Sequence, residues 1–256
     1  MTRRIADTAA LAIMLVGTLW GLGWVGSPVE DTAGGALAAD ATLLAPGSPA
    51  FLIWTPIYLL LAAFVVWRWT PDGQRSSRAD RLGWLPAISM ILNGAWLGLT
   101  QAGWLWASVV DIALLAATLG LAMVRLAGSR PRRMTEEFLL DGTFGLYLGW
   151  VTVATCANVA AAGVGSGVTL GRAAEGVAVA VLAAATVLAV VYARAMAAAP
   201  GIGGAMAWGL GWICYGRLVS GPISWLVGIA AAVATVAVLA TYLVSQTRWR
   251  PSSDAP

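Results

Sequence analysis

The feature that most constrains this chain is a succession of apolar runs, each about 20 residues long and set apart by short polar or glycine-rich breaks. About 20 residues of α-helix rise roughly 30 Å, the thickness of a bilayer's hydrocarbon core. Of the 256 residues, 59% are hydrophobic and only 11% charged, where a soluble domain carries about 25% charge. Too little polar surface exists to cover these runs in water. Outer-membrane strands would be about ten residues long and would alternate polar with apolar, whereas these runs are continuous. Backbone groups in hydrocarbon must also bond within their own segment, which favours helices. The chain reads as all-α, a polytopic membrane helix bundle.

Spans are predicted at roughly 8–26, 50–68, 82–101, 104–124, 142–162, 174–193, 202–218 and 222–244, eight in all. Asp7 and Thr8 offer a cap to the first. The stretch 27–50 reads as an exposed loop. Residues 9–26 resemble a signal peptide after Arg3 and Arg4, but no small-residue cleavage site follows directly, so they read as a retained span. The 15 basic residues are all arginine. Eight spans place thirteen of them on the side of both termini and leave Arg172 and Arg217 opposite. Arginine-rich short loops stay cytoplasmic, so the expectation is a multi-pass protein of the cell membrane with N- and C-termini cytoplasmic. A re-entrant 202–218 would weaken that bias. The same placement accounts for the net charge of +3 without nucleic acid.

Chemistry-bearing residues are sparse. The chain has no His and only two cysteines, Cys156 and Cys214, both within apolar runs and read as free. No metal cluster or nucleophile–base arrangement is visible, so neither catalysis nor a cofactor is expected. Asn93 and Asn158 lie deep in apolar helices, where each needs a hydrogen-bond partner. They serve either as interhelical adhesive, about 0.6 kcal/mol on average, or as ligand contacts. Asp111 lies inside the fourth run, where an aspartate costs roughly 3 kcal/mol. It pairs with Arg217 or Arg172, stays neutral in a polar contact, or acts as a proton or ion relay.

The 14 tryptophans carry a stronger signal. A two-sided interfacial belt accounts for many of them, with Trp20, Trp24, Trp104, Trp106 and Trp225 towards the outer half and Trp67, Trp69, Trp84 and Trp249 at the inner interface. It does not account for Trp54, Trp96 and Trp150, which sit on three helices near the same end with Tyr or Asn one or two turns on. The stretch Ser48–Tyr58 (SPAFLIWTPIY) sets Phe51, Trp54 and Tyr58 at spacings of three and four, one ridge of a helix. Three such helices could wall a cleft that stacks a flat hydrophobic ligand.

These residues resemble the TspO/MBR family, the translocator and tryptophan-rich sensory proteins, and in particular its longer bacterial relatives. Pro49, Phe51, Trp54 and Tyr58 match the opening of that family's second helix. Leu92, Asn93 and Trp96 match its third, and Leu146, Tyr147, Trp150 and Asn158 its fifth. The resemblance covers roughly 8–163, matching the family's five-helix organisation. It implies a five-helix domain over 1–171, with 172–256 as a three-helix extension. It also implies a cavity for porphyrins, cholesterol-like lipids or aromatic drugs, lined by Phe51, Trp54, Tyr58, Asn93, Trp96, Tyr147, Trp150 and Asn158. The expected function is binding, with transport or sensing, of a flat hydrophobic molecule, a tetrapyrrole such as a porphyrin or a lipid-like compound. The alternatives are a proton-coupled transporter using Asp111 and a structural membrane protein. Membrane lipid is an expected partner, and the small face at Gly17 and Gly21 permits a homodimer. Ala45-Pro46-Gly47-Ser48-Pro49 departs from the short members' Trp-Pro-Pro-x-Trp, which bears on porphyrin binding in their mode.

Overall fold

The computed structural model describes residues 1–21, 29–196 and 199–249, and every regular element among them is helical. The long helices are α1 (Thr2–Gly21), α2 (Trp54–Trp69), α3 (Leu85–Gln101), α4 (Leu105–Ala127), α5 (Thr143–Gly165), α6 (Ala174–Ala195), α7 (Pro200–Tyr215) and α8 (Trp225–Trp249). Among the described residues five stretches, 48–69, 105–127, 134–165, 171–195 and 225–246, are long and apolar enough to cross a bilayer. The chain is thus a membrane-embedded helix bundle. Residues 22–26 of the first predicted span, with Trp24, and Arg250 lie outside the described residues, as do the side chains of Trp20, Arg248 and Trp249.

Local chemistry sets the helix ends. α1 begins at Thr2, earlier than the predicted cap. Asp7 therefore lies within the helix and is buried, while the Thr8 hydroxyl donates to the Arg4 carbonyl at 2.9 Å. A 3-10 turn, Ser48–Ile53, with proline in its first positions feeds α2. Thr70 and Ser76 accept backbone N–H groups at the starts of two short helices, Pro71–Gln74 and Ser77–Leu82. Between α3 and α4 the chain reverses over three residues, which requires the left-handed conformation of Gly103, φ 73°.

Helices α1, α3, α4, α5 and α2 close a ring in that order, and α7, α8 and α6 form a second layer beginning on α5. Close backbone approach fixes the junction. A Cβ on Gly149 would overlap the Ile202 carbonyl, one on Gly201 would lie 2.8 Å from the Leu146 nitrogen, and one on Gly209 would lie 2.9 Å from Val153. The pairs advance together along both helices, so α5 and α7 run parallel. Gly17 is used within the chain: its Cβ position faces Gly94 of α3 at 3.4 Å.

The arginines at one end also stitch the loops there. Arg68 donates to the Gly73 carbonyl at 2.7 Å and pairs with Asp80 at 3.1 Å. Buried Arg78 forks onto Asp141 at 2.8 and 2.9 Å and reaches the Leu126 carbonyl at 3.1 Å. Ser76 donates to Glu136, which also accepts from the Arg132 N–H at 2.8 Å. At the opposite end the segment 36–47 departs from the predicted exposed loop. Ala36, Thr42, Leu44, Ala45, Pro46 and Gly47 are buried against the bundle, because this alanine- and leucine-rich stretch has apolar surface of its own to cover.

Replacing Gly149 with Val should force α5 and α7 apart and cost about 1–3 kcal/mol, the usual penalty of overpacking. Gly163→Ala, where a Cβ meets nothing within 4 Å, is the matched control. Thermal unfolding in detergent should show a lowered Tm for the first variant and no comparable drop for the second.

Candidate functional site

The aromatic residues of α2 and α5 interlock near the end opposite the arginines. Trp54 is the hub: it stacks on Tyr58 with ring centroids 5.3 Å apart and meets Tyr147 at 6.0 Å and Trp150 at 6.1 Å edge-on. Phe51, on the 3-10 turn before α2, meets Trp150 at 5.8 Å. Tilted and offset contacts of this kind suit the ring quadrupoles. The predicted ridge on α2 thus faces inward.

Polar groups from α3 and α4 complete the interior. The Tyr58 hydroxyl donates to Asn93 Oδ1 at 3.2 Å, and Tyr147 donates to the Ser89 carbonyl at 3.3 Å. Asn158 Nδ2 donates to Ser108 Oγ at 2.9 Å. Several buried polar atoms have no partner: Asn93 Nδ2, Trp96 Nε1, Trp150 Nε1, Asn158 Oδ1 and Asp111 Oδ2. An unpartnered buried polar group costs about 1–3 kcal/mol, and folded interiors leave few of them. Asp111 is buried and, among the described residues, forms no ion pair with Arg172 or Arg217.

Phe51, Trp54, Trp96, Trp150 and Asn158 line one cavity of about 30 Å³. Tyr58, Asn93, Tyr147 and Asp111 do not line it; the two tyrosines and Asn93 form the hydrogen-bonded layer towards the arginine-rich end. Ala154, Ala157 and Ala161 form its α5 wall, and Ala36, Leu37, Thr42, Ala45 and Pro46 close it from above. Such a volume holds a water or two, whereas a drug-sized ligand occupies about 300–1,000 Å³. The expected open cleft is largely filled in this conformation, since segment 36–47 packs across it. A second space of about 670 Å³ lies between α5 and α6, lined mainly by apolar residues that include Val159, Val177 and Val181.

Sequence reasoning missed the residues that hold the closing segment. Trp208 Nε1 donates to the Ala50 carbonyl at 2.9 Å, and the Gly47 N–H donates to the Trp212 carbonyl at 3.2 Å. Fully buried Arg217, in the π-turn Gly216–Ser220 after α7, donates to the carbonyls of Thr42, Ala39 and Gly221. One signal was available: Arg217 is one of two arginines on the side that charge bias should leave empty.

The exposed tryptophans sort as a belt would require, with Trp104 and Trp106 at the closed-cavity end and Trp69 and Trp84 at the arginine-rich end. Against that inward and outward division, the family model described as TSPO-like protein matches residues 5–242. The chain belongs to the TSPO-like family. The match extends through α6 and α7 and almost to the end of α8, well past the five helices that carry the motif resemblance. No curated protein and no solved structure matches this TSPO-like chain.

Ser108→Ala should leave Asn158 Nδ2 without its acceptor. The expected cost is about 1–3 kcal/mol, read as a lowered thermal midpoint in detergent, with Thr118→Ala, on an exposed face of α4, as the comparison.

Proposed function

We propose that this TSPO-like protein binds a flat hydrophobic molecule carrying a polar group, a tetrapyrrole or an isoprenoid-type lipid, between α2, α3 and α5. One observation carries the reading: the Trp96 and Trp150 indole N–H groups and Asn158 Oδ1 are unpartnered around a single aromatic cavity. Two donors and an acceptor suit a ligand carbonyl, carboxyl or hydroxyl, while Phe51 and Trp54 offer ring faces. The role is non-enzymatic: the bound molecule is held, sensed or passed on unchanged. Because the closed cavity is small, binding requires segment 36–47 to move. Tyr58, Asn93 and Tyr147 would keep the aromatic rings in register and meet the ligand only in the opened form.

Equilibrium titration with protoporphyrin IX in detergent, read by tryptophan quenching, tests the reading. Saturable binding is expected in the wild type, weakened about tenfold by Trp150→Phe through loss of one hydrogen bond, and abolished by Trp150→Ala. Absence of saturable binding to both protoporphyrin and an isoprenoid alcohol would overturn it. The unpartnered Asp111 carboxylate favours a second reading, proton-coupled transport. That reading expects pH-driven uptake in proteoliposomes that Asp111→Asn removes.

The arrangement supports insertion in the cell membrane with the arginine-rich end and both termini in the cytoplasm. An impermeant thiol reagent applied to intact cells should label Arg172→Cys and leave Arg130→Cys unlabelled, in a background lacking the two native cysteines. The reverse pattern would invert the orientation.

A further inference from the structure

Two spaces lie on either side of one short piece of chain. Ala45 and Pro46 line the aromatic cavity, Leu43 and Leu44 line the α5–α6 groove, and Thr42 lines both. Residues 42–46 are therefore a partition about one chain thick between the narrow aromatic cavity and a groove of about 670 Å³ between two membrane-crossing helices. The groove's natural solvent is acyl chain, because α5 and α6 are both long and apolar enough to span.

The partition is held from outside the five-helix ring. Arg217 is fully buried, and its guanidinium donates to the Ala39 carbonyl at 2.8 Å, to the Thr42 carbonyl, and to the Gly221 carbonyl at 2.7 Å. Its Nε has no partner, and no carboxylate pairs with it among the described residues, although Asp40 is near enough to act on its charge. A buried cation satisfied by carbonyls alone is an expensive way to fasten a loop. It is also a reversible one, since the carbonyls of Ala39 and Thr42 can turn to water while Arg217 keeps Gly221.

We infer that Arg217 is a latch: by gripping Ala39 and Thr42 it keeps residues 42–46 as a wall, and its release joins the aromatic cavity to the lipid-facing groove. Residues from the second helix layer thereby control lateral access of a membrane-dissolved ligand to the aromatic site. This role rests on the binding function proposed above, but its test needs no ligand.

In a Cys156→Ser/Cys214→Ser background, Ala161→Cys puts a thiol at a buried position of the cavity, behind the partition. In a Cys214→Ser protein, native Cys156 reports on the groove side. N-ethylmaleimide labelling in detergent should be slow at position 161 with Arg217 present. It should accelerate about tenfold or more with Arg217→Met, a factor that loss of one charge-assisted hydrogen bond supplies. Labelling of Cys156 should not change. Arg217→Lys, which keeps the charge but not the fork, should give an intermediate rate, and it decides the matter if Arg217→Met does not fold. Unchanged labelling at 161 in the folded Arg217 variants overturns the latch, as does an equal rise at Cys156, which would mean general loosening. Failure of porphyrin binding with the expected labelling pattern would instead count against the binding reading alone.

Discussion

The backbone contact between α5 and α7 is the interaction on which the rest of this structure depends. Lipid tails are as apolar as leucine, so helices in a bilayer gain little by hiding apolar side chains from it; they associate through close packing. Gly149 meets Ile202 and Gly209 meets Val153 where no larger residue fits. That contact runs α7 parallel to α5 and so brings Trp208, Trp212 and Arg217 over residues 39–50. α5 meanwhile turns Tyr147 and Trp150 towards α2. One helix is shared by two layers, and half of its apolar window is buried inside the bundle, against 28% for α6.

The interior is built with unmet hydrogen-bonding capacity. Tyr58, Asn93, Tyr147 and Asn158 make one bond each across helices, yet Asn93 and Asn158 retain a free polar atom, as do Trp96 and Trp150. In a low-dielectric interior such groups are stabilising when satisfied and costly when not. Trp96, Trp150 and Asn158 border one cavity, while Asn93 lies in the hydrogen-bonded layer beside it.

Much of this was legible in the sequence, for identifiable reasons. Helix length and apolar continuity revealed the membrane bundle, and the three- and four-residue spacing of Phe51, Trp54 and Tyr58 revealed the face that α2 turns inward. Trp104 and Trp106 differ from Trp96 and Trp150 in exposure, and the Tyr or Asn one or two turns from Trp96 and Trp150, on separate helices, set that pair apart from a belt in advance. The segment 36–47 was misjudged because glycine, alanine and proline signal a loop but not whether that loop folds back onto the protein. Arg217 was read as a topological residue and as a candidate partner of Asp111. Its partners are carbonyls of Ala39 and Thr42, and backbone acceptors leave no trace in side-chain chemistry. The beginning of α1 was misplaced for a related reason: Asp7 reads as a cap, and only its burial inside the helix shows otherwise.

Ala154, Ala157 and Ala161 form the α5 wall of the cavity at successive turns. Alanine is the best helix former, so this wall adds no strain to α5 while leaving the chamber as wide as a side-chain-bearing helix allows. Bulk added at any of the three would project into the cavity and leave the glycine contact with α7 untouched. The width of this chamber is consequently an adjustable property of the scaffold, separable from its assembly, and a single methyl or two along one stripe would change it.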